Sequence, residues 1–165
     1  ERQEAPGPMG LPMIRAAIAQ ILDWNCATQC DGKSFFCQFK PDKGIRKHFA
    51  TRLAGLRGKI VDILLKRMPM GWSHAPKIAQ AVANFIMEDI GLGWVDNFIF
   101  GATTVEDCQR KRDELRRRLK RYNIEVDDLE MPIAQELFCL GLEFDLAAHL
   151  YRLDPKWVDK IPYVM

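Results

Sequence analysis

Trp94-Val95-Asp96-Asn97-Phe98-Ile99-Phe100 sets a polar pair between two apolar arms. The pattern predicts two strands joined by a tight turn at Asp96-Asn97, because Asp and Asn tolerate positive φ better than most residues. An antiparallel hairpin is therefore expected here, and helical patterns flank it on both sides. Before it, Ser73 is placed to cap a helix and Pro76 suits its first turn. Ile78, Val82, Phe85, Ile86 and Ile90 then form a stripe that ends at Gly91. After it, Thr104 with Asp107 reads as a capping box, and Val105, Cys108, Leu115, Leu119 and Tyr122 give a buried seam.

The remaining segments extend this arrangement. Residues 1–12, rich in Pro and Gly, form an arm, and apolar positions from Met13 to Trp24 describe a short amphipathic helix. A strand-like run around Asp31 includes Phe35, Phe36, Cys37 and Phe39, and Pro41, Asp42 and Gly44 make a turn. Ile45 to Arg67 reads as half-buried strands around Gly55 to Gly58, with a basic outer face. Leu137 to Phe144 and Leu150 to Leu153 flank Ala147-Ala148-His149 as a hairpin, and Asp154-Pro155 starts another helix. With no regular strand-helix-strand alternation and no GxGxxG, the order favours an α+β fold with helices on an antiparallel sheet.

Charge is distributed in blocks. The net charge of the 165 residues is +2, yet residues 40–67 hold nine basic and two acidic side chains, and residues 123–165 hold three and nine. Such segregation suits contact with a polyanion on one side. The basic helix from Thr104 to Tyr122 lacks the partner elements of a groove-reading motif and is expected to pack beneath the sheet with its charges in water. No apolar run approaches the ~20 residues of a membrane span, so a soluble intracellular protein is expected, in nucleus or cytoplasm. The five cysteines show no zinc-ligand spacing and are expected as reduced thiols.

Asp31 and Asp96 stand in apolar, strand-like surroundings, where an unpaired carboxylate is costly to bury. A bound Mg²⁺ removes that cost, and two acids with substrate phosphates suffice for metal-assisted phosphoryl transfer. Taken alone, each acid also fits an ordinary turn carboxylate accepting backbone N–H bonds.

Asp31-Gly-Lys-Ser-Phe-Phe-Cys-Gln-Phe39 resembles the first catalytic motif of retroelement reverse transcriptases, and Met68-Pro-Met-Gly-Trp-Ser-His-Ala-Pro-Lys-Ile-Ala-Gln80 resembles their second. Trp94-Val-Asp-Asn97 is similar to the Y-x-D-D box, and Leu137-Phe-Cys-Leu-Gly-Leu-Glu-Phe144 to the hairpin that grips the primer end. Leu153-Asp-Pro-Lys-Trp-Val-Asp-Lys-Ile161 looks like the entry to the thumb, and Gly10-Leu-Pro-Met-Ile-Arg15 like the family's lead-in helix. The likeness runs from about residue 8 to residue 162 in the family's order.

The resemblance implies a polymerase palm, a ferredoxin-like antiparallel sheet with helices on one face, over residues 13–153. It also implies part of the fingers at about 40–67 and the start of a thumb at 154–165. It implies catalysis by Asp31, Asp96 and Asn97, with two Mg²⁺ ions, or Mn²⁺, held by Asp31, Asp96 and the backbone of Gly32. Phe36 takes the position of the gate beneath the sugar, and Gly71 and Gln80 belong with it to the nucleotide site. Lys40, Lys43, Arg46 and Lys47 lie toward the template, and Leu140 and Gly141 form the primer grip; for the basic residues a plain solvated face remains open. The implied partners are an RNA template, a DNA primer and dNTP, with the remaining fingers and thumb supplied by a longer chain or a partner protein. A retrotransposon-type element is the implied source.

Two departures qualify this. Asn97 replaces the second carboxylate of the box with an amide, which binds metal more weakly. The loop Asn123 to Met131 has Asp127, Asp128 and Glu130 where the family often places a Lys as general acid. The expected function is RNA-directed DNA polymerisation; the alternative is a degenerate or domesticated palm that binds RNA or protein without catalysis. His74 is assigned to local capping or packing.

Overall fold

A computed structural model describes residues 9–55 and 58–158. Most of the expected arm, Leu56 and Arg57 of the basic segment, and the thumb entry beyond residue 158 lie outside the described residues. Helix α1 (Ile14–Leu22) leads into β1 (Cys26–Gly32), followed by the short helices α2 (Phe35–Gln38) and α3 (Lys43–Arg46). Strands β2 (Ala50–Ala54) and β3 (Ile60–Leu64) pair as a hairpin before α4 (Ala75–Met87), β4 (Leu92–Trp94), β5 (Asn97–Ala102) and α5 (Val105–Tyr122). Strands β6 (Val126–Asp127), β7 (Glu136–Cys139), β8 (Leu142–Asp145) and β9 (Leu150–Leu153) precede α6 (Pro155–Val158).

The centre is a four-stranded antiparallel sheet in the order β4-β5-β1-β6. Side chains alternate across β1 and β5, so the sheet has two distinct faces. Cys26, Cys30, Phe98 and Phe100 join one buried cluster with Ala79, Ala83 and Ile86 of α4 and Cys108, Leu115 and Leu119 of α5. Ala27 and Ile99 point the other way, into a cluster with Ala17 and Ile21 of α1 and Leu137, Cys139 and Phe144 of β7 and β8. Burial of Phe98, Phe100 and Phe144 at 0% exposure contributes about 1.5–3 kcal/mol each relative to leaving them in water. The α+β antiparallel architecture is as expected, but helices cover both faces: α1 lies opposite α4 and α5.

Several local expectations are corrected. Residues 35–38 form a helical turn instead of continuing the strand. Phe35 is 2% exposed and folds back over Gly32, where an added Cβ would lie 2.6 Å from the Phe35 ring. The anticipated turn at Asp42 is the start of α3, with the Asp42 carboxylate accepting from the Gly44 N–H at 2.7 Å. The β2–β3 hairpin forms where strands were predicted, but all ten strand residues are exposed, not half-buried.

Helix α4 begins after His74, with Ser73 outside it and no side-chain cap. It buries the small residues Ala75, Ala79 and Ala83, while Ile78 and Phe85, expected inside, are 37% and 53% exposed. Helix α5 takes one half of the predicted capping box, Thr104 Oγ1 accepting from the Asp107 N–H at 3.2 Å while the Asp107 carboxylate pairs with Arg110, and Val105 and Tyr122 fall outside its buried seam. Its basic face is not simply solvated: Arg116, Arg117 and Arg118 pair with Asp113, Glu114 and Glu130, and Arg112 is buried.

Candidate active site

Two strands bring the predicted acids together. Asp31, near the end of β1, is directly paired with Asn97 at the start of β5 and, on its other side, with Asp127 of β6. The β4–β5 hairpin is closed by a two-residue loop, Val95-Asp96, with Trp94 paired to Asn97. The turn thus sits one residue earlier than predicted, and Val95, a β-branched residue, takes the left-handed conformation at φ 56°. Asn97 is already strand. The backbone then ties the loop to β1: the Gly32 N–H donates to the Asp96 carbonyl at 2.6 Å.

Gln80, 0% exposed on α4, enforces this hairpin. Its Nε2 donates to the Gly93 carbonyl and to Asn84 Oδ1, both at 2.7 Å, and its Oε1 accepts the Val95 N–H at 2.7 Å. Its side chain is therefore committed to shaping the loop and is not open to a nucleotide.

The electrostatics around Asp31 are one-sided. Asp31 and Asp96 are both exposed, not enclosed by apolar side chains. The Asp31 carboxyl is held above the usual carboxylate range, first by partial desolvation against the sheet end and then by the negative charges of Asp96, Asp128 and Asp127. No Lys or Arg forms an ion pair with Asp31 or Asp96 among the described residues. Asn97 Nδ2 donates to Gln29 Oε1 at 3.2 Å, whereas its Oδ1 is buried with no hydrogen-bond partner among the described residues. Among the described residues no group of three or more His, Cys, Asp or Glu side chains is arranged to enclose a metal.

The other predicted residues fall on separate elements around this centre. Phe36 on α2 is half-buried at the edge of the α4–α5 cluster. Gly71 has φ 95° and no atom within 4 Å of where a Cβ would stand. Leu140 and Gly141 make the β7–β8 turn, both left-handed at φ 55° and 75°. Lys40, Lys43 and Lys47 are exposed around α3, and Arg46 Nε donates to the Pro41 carbonyl at 2.9 Å. None of these four basic groups bonds to the acids. The His74 ring packs beside Trp72, with 5.2 Å between centroids.

No family model matches the sequence, and no curated protein does. Solved structures do. A foamy viral protease-reverse transcriptase, titled as a dRH form in complex with double-stranded DNA, superposes with a TM-score of 0.75 at 18% identity over 97% of this chain. The foamy viral protease-reverse transcriptase with double-stranded DNA gives 0.71 at 18% over 97%, and with an RNA/DNA hybrid 0.67 at 20% over 88%. The fold is that of a reverse-transcriptase palm with fingers-like elements. The chain spans 27%, 33% and 20% of those chains.

Against that fold, sequence reasoning missed one participant, Gln29, and the clamping role of a second, Gln80. Gln29 lies two residues before Asp31, and the period of two in a strand was signal enough to put it on the same face. Gln80 was placed on the right helix, but only the packing of α4 against Gly93 reveals that it clamps the hairpin. No helix among the described residues is long and apolar enough to cross a membrane.

Proposed function

We propose that this chain carries the catalytic palm of a template-directed polymerase of the reverse-transcriptase type, joining a primer 3′-hydroxyl to the α-phosphate of a dNTP with release of pyrophosphate. The observation that carries the reading is the convergence of Asp31 and Asp96, 65 positions apart in sequence, at one end of the central sheet, with no basic partner for either among the described residues. The donor set fits a hard divalent cation, since Mg²⁺ is commonly bound through one or two carboxylates with substrate phosphates completing its shell. Mg²⁺ or Mn²⁺, when bound, neutralises charge on the phosphates and acidifies the attacking hydroxyl.

The chain's own residues would do the positioning. Asp31 and Asp96 would hold the ions together with the Gly32 backbone, and Asn97 follows Asp96 in the hairpin. Phe36 lies under the sugar, and Gly71 lets the backbone approach the templating pair. Leu140-Gly141 turns toward the primer end, and Lys40, Lys43, Arg46 and Lys47 serve the template phosphates. Gln80 acts through the hairpin and not on the nucleotide. An RNA template, a DNA primer and further fingers and thumb, from a longer chain or a partner, complete the reading, and a retrotransposon-type element is its source.

Primer extension on an RNA template with Mg²⁺ or Mn²⁺ tests it, run on a chain that includes the outer fingers and thumb. Extension is expected, with Asp31→Ala and Asp96→Ala each losing at least ~10²-fold. Template binding with no extension in either metal would overturn catalysis. That result would leave the second reading, a nucleic-acid-binding palm without activity, which the amide at Asn97 favours.

A further inference from the structure

Gln29 is held from both ends. Its Nε2 donates to the Phe138 backbone carbonyl on β7 at 2.8 Å. A carbonyl can only accept, so this bond fixes which end of the Gln29 amide faces β7. The other end, Oε1, is thereby turned to Asn97 and accepts from its Nδ2 at 3.2 Å. An acceptor fixed in this way demands a donor at position 97. An amide provides one, and an ionised carboxylate cannot. The chain of constraint then reaches Asn97 itself: with Nδ2 engaged, the oxygen is left as a buried acceptor without a partner.

We infer that Gln29 and Asn97 are a matched amide pair, in which Gln29 is a positioning residue that selects an amide over a carboxylate at 97 and leaves its Oδ1 as the free acceptor. The pair also ties β5, which follows the loop holding Asp96, through β1 to the strand that leads into the Leu140-Gly141 turn. Asn97 is thus a built-in feature of this sheet and not a lesion in it. Any consequence for catalysis rests on the polymerase reading; the pairing does not.

The test is a double-mutant cycle of thermal melts in chelator: the unaltered chain, Asn97→Asp, Gln29→Met, and both together. Asn97→Asp is expected to lower Tm by about 2–4 °C or more, by setting two acceptors face to face. In the Gln29→Met background the same change should cost less than half as much. Equal losses in the two backgrounds would overturn the pairing. Nuclear magnetic resonance of the unaltered chain gives a second decision that does not depend on any variant folding. Asn97 side-chain amide protons slowed in exchange, with a cross-peak to Gln29, support the pair; rapid exchange without the cross-peak refutes it. In Gln29→Met those protons should move to solvent-exposed values, while the Gln38 side-chain amide, bonded to the Lys33 and Glu125 carbonyls, stays unchanged. Primer extension by the same four variants, made in a chain that includes the outer fingers and thumb, reports on the other premise separately: no extension by any of them sinks the polymerase reading and leaves the melting cycle to decide the pair.

Discussion

The Val95 N–H donates to the side-chain oxygen of Gln80 at 2.7 Å, and this single bond links helix α4 to the loop that presents Asp96. Val95 is held at φ 56°, where a β-branched residue is strained, so the loop needs an external restraint to keep its shape. Gln80 supplies it with two bonds on the β4 side of the turn, because its Nε2 also holds the Gly93 carbonyl. The position of the second acid therefore depends on a buried side chain of a different element.

Gln80→Leu is expected to leave the Gly93 carbonyl and the Val95 N–H without their side-chain partner. Each orphaned buried group costs about 1–3 kcal/mol. Urea unfolding should show the loss as a lower midpoint with an unchanged slope. On the polymerase reading, extension should fall further than the loss of folded protein accounts for.

Helix α4 approaches β4 closely at Gly93. A Cβ there would lie 2.7 Å from the Ala83 carbonyl carbon and 2.8 Å from its Cβ, and the helix backbone cannot swing aside as a flexible side chain can. Gly93→Ala should therefore destabilise by about 1–3 kcal/mol, the usual cost of overpacking. Adding Ala83→Gly removes the Cβ contact but not the backbone one. Partial recovery in the double variant, read by thermal melting, is the expected outcome.

The same close approach explains why α4 was only partly legible in the sequence. Of the predicted stripe Ile86 and Ile90 are buried, but Ile78 and Phe85 face outward, because hydrophobic periodicity weighs size and the first turns of the helix meet the sheet through Ala75, Ala79 and Ala83. Helix α5 was legible because its signal is local: a Thr104–Asp107 cap and Cys108, Leu115 and Leu119 at helical spacing. The hairpin was legible in kind but off by one residue, since the register is set by Asp31 pairing with Asn97 and by Gln80, contacts at long range in sequence. Residues 35–38 were misread because clustered phenylalanines favour a strand, while the burial of Phe35 against Phe39 and Phe98 decides otherwise. The meeting of Asp31 with Asp96 rested on motif resemblance, and the β1–β5 register supplies its geometry.

Thiol reactivity should single out one cysteine. Cys26, Cys30, Cys108 and Cys139 are buried, and Cys37 on α2 is exposed. Burial pushes the thiols of Cys30 and Cys139 up to about 12 and that of Cys108 to about 11, which suppresses the reactive thiolate at neutral pH. A disulfide-exchange reagent applied to the native chain should modify a single thiol quickly, and Cys37→Ser should abolish that fast phase. Two or more fast thiols would contradict the packing of the central sheet.

Glu114 offers a pH signature for the underside of the sheet. Hydrogen bonds from Arg117, then Arg118, lower its carboxyl from 4.5 to about 2. Arg118, held at 2.7 Å by Glu114, also donates to the Ile86 and Glu88 carbonyls and so satisfies the C-terminal end of α4. Because the folded-state value lies below the unfolded one, the stability contributed by this group is present above about pH 4.5 and is lost as the pH falls toward 2. The pair is half-exposed and open to solvent on one side, so salt should weaken the effect. A nuclear magnetic resonance titration should place the Glu114 midpoint well below those of unpaired glutamates. Glu114→Gln should flatten the acid limb of stability against pH while leaving the neutral-pH fold in place, and an unaltered acid limb in that variant would mean that Arg118 caps α4 without help from Glu114.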